Sequence, residues 1–298
     1  MSAPPTDKIT FSRRERVAGY VALTKPRIIE LLLVTTVPTM FVAERSVPSV
    51  WLMVATVVGG TLAAGGANAV NMVIDRDIDG LMERTMHRPL VRGVMSPRAA
   101  LTFAVVIEVV AFAWLFTTVN LLSALLAVSA TFFYVFVYTL WLKRTTTQNI
   151  VIGGAAGAVP VLVGWSAVTN SLGWAPVVLF LVIFFWTPPH FWALAIRYRE
   201  DYSAASVPML PAVATLAATA RKITLYTVML VGTTLVFAPV ADMGAVYVAA
   251  ALILGALFGV LALAVQRDPT ERAAMRLFSY SITYMTLLFA AMIVDVLV

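Results

Sequence analysis

The chain has 298 residues, of which 61% are hydrophobic and only 12% are charged, and it contains no cysteine. A soluble protein of this length needs far more polar surface, so the composition excludes the soluble classes and indicates a polytopic membrane protein. The absence of cysteine excludes disulfides, thiolate catalysis and cysteine-ligated metals. The net charge of +6 would suggest nucleic-acid binding in a soluble domain, but here we attribute it to membrane topology and expect no nucleic-acid partner.

Nine apolar segments are long enough to cross a bilayer at roughly 20 residues each. They lie at about 28–43, 50–74, 99–118, 121–142, 150–168, 174–196, 221–240, 245–265 and 276–296. The sequence therefore predicts an all-α fold, a bundle of nine transmembrane helices formed by residues 25–298. Residues 1–24 are polar and basic and resemble no cleavable signal peptide, so we expect a cytoplasmic N-terminal tail with a short surface helix.

The basic residues predict the orientation of this bundle. All 21 lysines and arginines except Arg45 precede the first segment, lie in alternate loops or open the segment after such a loop. The positive-inside rule then places the N-terminus in the cytoplasm and the C-terminus outside, in a multi-pass protein of the bacterial inner membrane. The long loops after the second and sixth segments carry acids as well as bases. We therefore expect function at the cytoplasmic face, and two similar long loops hint at a duplicated bundle.

Four polar residues at the end of the second segment have helical spacing. Asn68, Asn71, Asp75 and Asp79 lie three or four residues apart, and on a helix positions four apart drift by only about 40°. They therefore form one polar stripe, while Asp77 falls on the opposite side and is solvated or paired with a cation. Acids at the mouth of a membrane helix stay ionised together only beside positive charge. Their oxygen-only ligand set favours Mg²⁺ shared with a phosphate group.

A second acidic cluster follows the sixth segment, at residues 197–202 (RYREDY). Such clusters commonly end helices, but on the same membrane face as the stripe this one forms a second wall of one site. A metal-bridged diphosphate needs carboxylates from two directions and cations on its outer oxygens. The basic candidates beside the two walls are Lys25, Arg27, Arg84, Arg88, Lys143 and Arg144, of which the last three lie beside turns facing the acids.

Two polar residues lie within the predicted membrane segments. His190 lies among aromatic residues in WTPPHFWALA, where a neutral core histidine is the default and a contact with an aromatic or porphyrin acceptor is the alternative. Glu108 lies near the bilayer centre by the helical rise. An acid at that depth is a functional candidate, so Glu108 either lines a substrate cavity or bonds to a neighbouring helix.

Three stretches resemble a known family: LTKPRIIELLLVTT (23–36), NMVIDRDIDGLMERTMHRPLVRG (71–93) and TPPHFWALAIRYREDYSAASVPMLP (187–211). They are similar to the intramembrane UbiA-type prenyltransferases, and most closely to the subfamily of protohaem IX farnesyltransferases, or haem O synthases. The resemblance implies that farnesyl diphosphate is joined to a vinyl group of haem B, which gives haem O and releases diphosphate.

The resemblance also implies roles for single residues. Asn71, Asp75 and Asp79 match the first diphosphate motif and Asp201 matches the last acid of the second, which makes these four the catalytic candidates. Asp75, Asp79 and Asp201 are the candidate Mg²⁺ ligands. The candidate diphosphate contacts are Arg27, Arg84, Arg88, Lys143, Arg144 and Arg197, and the candidate haem contacts are His190 and Glu108. Arg197 stands where many members of the superfamily carry an acid, which leaves fewer ligands for a second metal.

Two other functions remain open at this point. The same chemistry on a quinone-precursor ring would use the same donor site. A secondary transporter usually carries charges near the bilayer midplane, where Glu108 is the one clear acid. For the haem-farnesylating activity, the expected partners are farnesyl diphosphate and haem B as substrates, the lipid bilayer, and a downstream haem-modifying enzyme.

Overall fold

The computed structural model describes the backbone of residues 11–298 and their side chains except those of residues 27–33. All regular structure in this part of the chain is helical. The elements of the first half are α1 (Arg13–Leu23), α2 (Pro26–Glu44), α3 (Val50–Ile74), α4 (Arg76–Asp79), α5 (Pro97–Thr118), α6 (Leu121–Phe132), a π-helix (Phe133–Leu142) and α7 (Lys143–Thr145). The second half contains α8 (Asn149–Thr169), α9 (Trp174–Arg197), α10 (Arg199–Ala204), α11 (Leu210–Val213), α12 (Leu216–Val240), α13 (Ala245–Arg267) and α14 (Glu271–Leu297).

The predicted membrane segments correspond to long helices. Among the described residues, eight helices are long and apolar enough to cross a membrane, with α6, the π-helix and α7 forming one continuous span. The all-helical, multi-pass prediction is therefore confirmed. The first predicted segment corresponds to α2, whose side chains are described only in part. The count of nine spanning helices and the cytoplasmic N-terminus stay predictions.

Two helices begin more than a turn before the predicted segments, because polar caps extend them beyond the apolar stretch. Thr215 accepts a hydrogen bond from Ala218 N at the start of α12, and Thr270 accepts one from Ala273 N at the start of α14. Side-chain caps of this kind satisfy backbone N–H groups that the first helical turn leaves free. The bases and acids between the predicted segments therefore lie partly on helices.

The short helix expected before the first segment is α1. Ser12 and Glu15 form a capping box at its start, with Ser12 N donating to Glu15 Oε2 at 2.8 Å. Leu23 is buried against α3 and α5, and Tyr20 packs on Phe103 with ring centroids 5.0 Å apart. This helix is therefore docked on the bundle, although the division of the chain into tail and membrane domain stays a prediction.

Small residues let the central helices approach closely. A Cβ added at Gly164 of α8 would lie 2.6 Å from the carbonyl oxygen of Thr36 on α2. A Cβ at Gly59 of α3 would lie 2.4 Å from two carbon atoms of Leu115 on α5. Because lipid supplies no hydrophobic drive between helices, such close backbone packing is a main source of their association.

The loops at one end of the bundle, here called the far end, are bonded to one another. Arg45 donates to the carbonyl oxygens of Ala241 and Asp242 and lies 3.7 Å from the Asp242 carboxylate. Asp295 of α14 accepts from the backbone N–H groups of Gly244 and Tyr247 and so caps the start of α13. These bonds explain why Arg45 departs from the distribution of the other bases: it completes the end of α12.

Candidate functional site

The opposite end, where α3 and α9 finish, is called the site end. The polar stripe continues past the end of α3, because helical hydrogen bonds continue there: Asp75 N bonds to Asn71 O and Asp79 N bonds to Asp75 O, both at 2.9 Å. Asp75 and Asp79 are almost fully buried, with 0% and 1% of their surface exposed. Asp77 is exposed on the opposite side. The predicted geometry of the stripe is therefore the geometry of the structure.

Asp75 lies at the centre of the site. Its Oδ2 accepts a short hydrogen bond from Lys143 Nζ and a second one, at 2.8 Å, from Asn71 Nδ2. Its Oδ1 is buried and has no hydrogen-bond partner, and Arg144 Nη2 lies 3.7 Å from it. A buried anionic oxygen without a donor is costly, and it marks a place where a cation is favoured.

Asn71 links this carboxylate to a second lysine. Lys25 Nζ donates to Asn71 Oδ1 at 2.7 Å, and Asn71 Nδ2 also donates to Thr139 Oγ1 at 3.1 Å. Lys25 has a left-handed backbone, with φ of 51°, between α1 and α2. Burial lowers the pKa of Lys25 to about 7, and the nearby charges of Arg88 and Lys143 add to the effect.

Lys25, one of the basic candidates of the sequence, and Thr139, which the sequence did not indicate, both belong to the site. Lys25 precedes Pro26 in the basic LTKPRI stretch, where the sequence favoured Arg27, whose side chain lies outside the described residues. Thr139 lies on the π-helix, in the aromatic stretch FYVFVYTLWL. Hydrophobic periodicity does not predict a π-helix, so the sequence offered no reason to choose Thr139. Only the frequent occurrence of π-helices at functional sites, seen once the structure is known, indicates it.

Asp79 is held by Arg88. The Nη1 atom of Arg88 donates to both carboxylate oxygens of Asp79, at 2.7 and 2.6 Å. Thr85 Oγ1 donates to the backbone oxygen of Asp79 at 2.9 Å and fixes the loop that carries Arg88. The prediction that Arg88 faces the acidic stripe agrees with the structure.

The second acidic segment meets this loop. Asp201 Oδ2 accepts from Arg84 N at 3.3 Å, which joins the start of α10 to a residue 117 positions earlier in the chain. The Arg84 guanidinium lies 5.7 Å from the centre of the Tyr198 ring. The two predicted acidic segments are therefore linked through the loop that carries Arg84, while a shared site of Asp201 with Asp75 and Asp79 stays a prediction. Arg197, in contrast, turns to Glu271 at the start of α14, with Nε 3.5 Å from Oε1, so its contact with diphosphate stays a prediction.

Arg144 bridges the buried and exposed sides of the stripe. It donates to both oxygens of Asp77, at 2.7 and 2.8 Å, and to the carbonyl oxygen of Ile74 at 3.3 Å. These bonds lower the pKa of the Asp77 carboxyl to about 2. The structure therefore contains the predicted pairing of Asp77 with a neighbouring cation. Of the Arg144 guanidinium, Nη2 also lies near Asp75, 3.7 Å from its Oδ1.

His190 and Glu108 lie in helix–helix contacts. His190 is stacked on Trp186 with ring centroids 4.2 Å apart, and its Nδ1 lies 2.6 Å from Ser281 Oγ on α14. Glu108 accepts a hydrogen bond from Thr131 on α6 at 3.0 Å. These contacts favour a satisfied core histidine and an acid bonded to the neighbouring helix, so a haem contact of either residue stays a prediction.

The donor set fits a hard divalent cation. Asn71, Asp75 and Asp79 supply amide and carboxylate oxygens along one stripe, and Asp75 Oδ1 is a buried oxygen with no hydrogen-bond partner. Within the described part of the chain, no group of three or more histidines, cysteines or acids is assembled as a metal site. In the structure Asp75 and Asp79 are each paired with a basic side chain, Lys143 and Arg88 respectively.

The UbiA prenyltransferase family model matches residues 32–290 of the chain. The chain belongs to the UbiA prenyltransferase family. As a member of that family it is a multi-pass membrane prenyltransferase, and the predicted enzyme class is confirmed. The paired carboxylates and cations at the site end are therefore the candidate prenyl diphosphate site of a UbiA enzyme.

Similar proteins include protoheme IX farnesyltransferases from three bacteria. The chain is 56% identical to that of Frankia casuarinae, over 95% of this chain and 99% of the relative. It is 55% identical to that of Parafrankia sp., over 93% and 90%. It is 53% identical to that of Streptomyces avermitilis, over 94% of each chain. The bacterial relatives and the membrane spans support the predicted location in a bacterial cell membrane.

Solved structures share the fold at low sequence identity. A digeranylgeranylglyceryl phosphate synthase has a TM-score of 0.77 and 16% identity, over 95% of this chain and 99% of that one. A UbiA homologue from Archaeoglobus fulgidus, solved with DMAPP and Mg²⁺, has a TM-score of 0.65 and 16% identity, over 91% and 99%. These similarities confirm the UbiA fold of the chain.

Proposed function

We propose that the chain transfers a farnesyl group from farnesyl diphosphate to a vinyl group of haem B, forming haem O and releasing diphosphate. The observation that carries this proposal is the identity of 53–56% to three bacterial protoheme IX farnesyltransferases. The similarity covers at least 90% of each chain compared. It therefore includes the donor site and the helices around it.

The site end supplies the groups that a diphosphate leaving group needs. Lys25, Lys143 and Arg88 present cationic donors within hydrogen-bond reach of Asn71, Asp75 and Asp79. As the C–O bond of the donor breaks, negative charge builds on the diphosphate. Fixed cations in a partly buried site stabilise that charge without reorganising water. We assign Lys25, Lys143 and Arg88 this role, with Arg144 and Arg84 at the rim.

Mg²⁺ is the cofactor we propose, held by Asp75, Asp79 and Asp201. When bound, it neutralises diphosphate charge as a Lewis acid. The relative solved with DMAPP and Mg²⁺ supports a divalent ion in this family, and the donor-free Asp75 Oδ1 supports its place in this chain. A second Mg²⁺ would need further acidic ligands. Arg197 stands where many members of the superfamily carry an acid, so fewer ligands remain for a second ion.

The apolar bundle protects the reactive end of the farnesyl group. Loss of diphosphate leaves an allylic cation, which water would quench before the acceptor reacted. In the proposed reaction the haem vinyl carbon forms a C–C bond to this cation. The positive centre that results takes a hydroxide from water, with release of a proton, which gives the hydroxyl of the product. Contacts of His190 and Glu108 with the haem belong to this proposal.

The proposal is tested with the purified protein in detergent. Haem B, farnesyl diphosphate and Mg²⁺ are incubated with the protein, and farnesylated haem is detected by mass spectrometry, with EDTA as the metal control. We expect a product that disappears with EDTA and with Asp75→Ala or Asp79→Ala. Asp77→Ala is the matched control, because that acid lies opposite the stripe and is exposed; it should retain turnover.

Three outcomes would overturn parts of the proposal. Consumption of farnesyl diphosphate with a quinone precursor, but not with haem, would keep the donor site and change the acceptor. Turnover that needs an ion gradient rather than Mg²⁺ would point to a transporter. Activity like that of the unmodified protein in Asp75→Ala or Asp79→Ala would remove the metal assignment.

A further inference from the structure

The hydroxyl of Thr139 makes a hydrogen bond that differs from that of five other buried helical threonines. Its Oγ1 donates to the carbonyl oxygen of Tyr134, five residues earlier, at 2.8 Å. Other buried threonines donate to the carbonyl four residues earlier: Thr39, Thr56, Thr187, Thr227 and Thr234. The difference follows from the π-helix, whose wider turn brings the carbonyl of residue i−5 into reach.

This bond fixes what the hydroxyl offers to its other neighbour. With its hydrogen donated to Tyr134, Thr139 Oγ1 can only accept, and it accepts from Asn71 Nδ2 at 3.1 Å. The second hydrogen of that amide goes to Asp75 Oδ2 at 2.8 Å, and Asn71 Oδ1 accepts from Lys25 Nζ. Both amide hydrogens and the amide oxygen are therefore used, in one orientation only.

We propose that Thr139 is a positioning residue of the donor site, which acts through Asn71. It holds the amide so that Lys25 and Asp75 keep fixed places on either side of it. The same continuous span carries Lys143, four residues after Thr139, which bonds to Asp75. The inference rests on the proposed function, because it assigns Thr139 to the site where farnesyl diphosphate binds.

The hydroxyl of Thr139 is important because the Asn71 amide that it accepts from is buried. Thr139 and Asn71 are 0% and 3% exposed, so an amide hydrogen that loses its acceptor there finds no water in its place. Leaving a buried donor unsatisfied costs far more than an exposed one. The Asn71 amide can recover a partner only by rotating. That rotation moves its Oδ1, which accepts from Lys25, and its Nδ2, which donates to Asp75, at the same time.

The test compares three variants. Thr139→Val keeps the shape and removes the acceptor, Thr139→Ser keeps the acceptor, and Thr227→Val makes the same change at a buried threonine bonded to its own helix. We expect kcat/KM for farnesyl diphosphate to fall about tenfold in Thr139→Val, as expected for one unsatisfied buried donor. Thr139→Ser and Thr227→Val should stay within about twofold.

A binding cycle shows whether the effect passes through Asn71. Affinity for farnesyl diphosphate with Mg²⁺ is measured by calorimetry for Thr139→Val, Asn71→Ala and the double variant. If Thr139 acts through Asn71, the double variant binds no more weakly than Asn71→Ala. A double variant whose loss of binding free energy equals the sum of the two single losses would overturn the proposal. A Thr139→Val protein that binds and turns over like the unmodified one would also overturn it.

Two further results separate the role of Thr139 from folding and from the choice of acceptor. If Thr139→Val melts far below Thr227→Val, Thr139→Ala takes its place in both measurements, because it removes the hydroxyl without a branched side chain. An unmodified protein that binds farnesyl diphosphate but makes no farnesylated haem would refute the proposed acceptor. The binding cycle would then still decide the role of Thr139, because it measures the donor alone.

Discussion

Replacing Lys143 by methionine removes the strongest contact of Asp75. The Lys143 side chain is 12% exposed and the Asp75 side chain 0%, so the pair is buried. Removing one partner of such a pair typically costs about 3–5 kcal/mol, since the other charge stays buried. Asp75 keeps the Asn71 hydrogen bond, and Arg144 lies 3.7 Å away, so we expect the lower end, about 3 kcal/mol.

The same substitution should slow the reaction by a separate route. Loss of one preorganised donor to developing negative charge typically lowers kcat by about 10²–10³-fold. Thermal unfolding in detergent measures the first effect, and the rate of farnesylated haem formation by mass spectrometry measures the second. Lys143→Arg is the matched control for charge, and it should recover most of the stability.

The expected losses of stability and of turnover in Lys143→Met can be contradicted separately. Lys143→Met combined with Asp75→Asn should be more stable than Lys143→Met alone, because the buried charge is gone; equal stability would show that the ion pair does not hold this part of the fold. If Lys143→Met melts lower but keeps kcat within about threefold, Lys143 only balances the charge of Asp75 and does not assist the leaving group.

Three further predictions concern other parts of the molecule. Because the pKa of Lys25 is lowered to about 7, its charge is lost above that pH and binding must take up a proton; affinity for farnesyl diphosphate should fall as pH rises above 7, and calorimetry on Lys25→Met should lack this component. A variant with an unchanged pH profile would contradict the assignment. Asp77→Asn should lower stability by at most about 0.5 kcal/mol and retain turnover, since this carboxylate, 58% exposed, is largely screened; what stability it does supply is lost only as pH falls toward its pKa of about 2. Gly164→Ala should destabilise by about 1–3 kcal/mol, because its Cβ would meet a backbone oxygen, whereas Gly157→Ala, with open space at that position, should not lower the melting temperature in detergent; equal melting of the two would refute the packing argument.

The sequence predicts the helices well because a membrane crossing demands a continuous apolar stretch. The segment predicted at 50–74 is α3 itself, with the same bounds. The positions of Asp75 and Asp79 on one face also followed from spacing, because helical geometry continues through the end of α3. These features depend on residues close in the chain, and local rules suffice for them.

Pairings across the chain could not be read in the same way. Lys143 and Arg144 are adjacent, yet one bonds to the buried Asp75 and the other to the exposed Asp77. Arg197 turns to Glu271 because α14 begins there, ahead of the apolar stretch that marked the predicted helix. Choices between neighbouring bases are decided by tertiary packing, which a single sequence does not display.

The two ends of the bundle differ in what holds them together. At the far end, Arg45 and Asp295 bond to backbone groups that no substrate replaces. At the site end, Lys143 joins the end of the π-helix to Asp75 at the end of α3, and Arg88 folds its own loop onto Asp79. In the proposed function both of these cations also bind the diphosphate. We therefore expect bound farnesyl diphosphate to crosslink these segments as well as to react. In the proposed reaction, each release of diphosphate removes that crosslink until the next donor substrate binds.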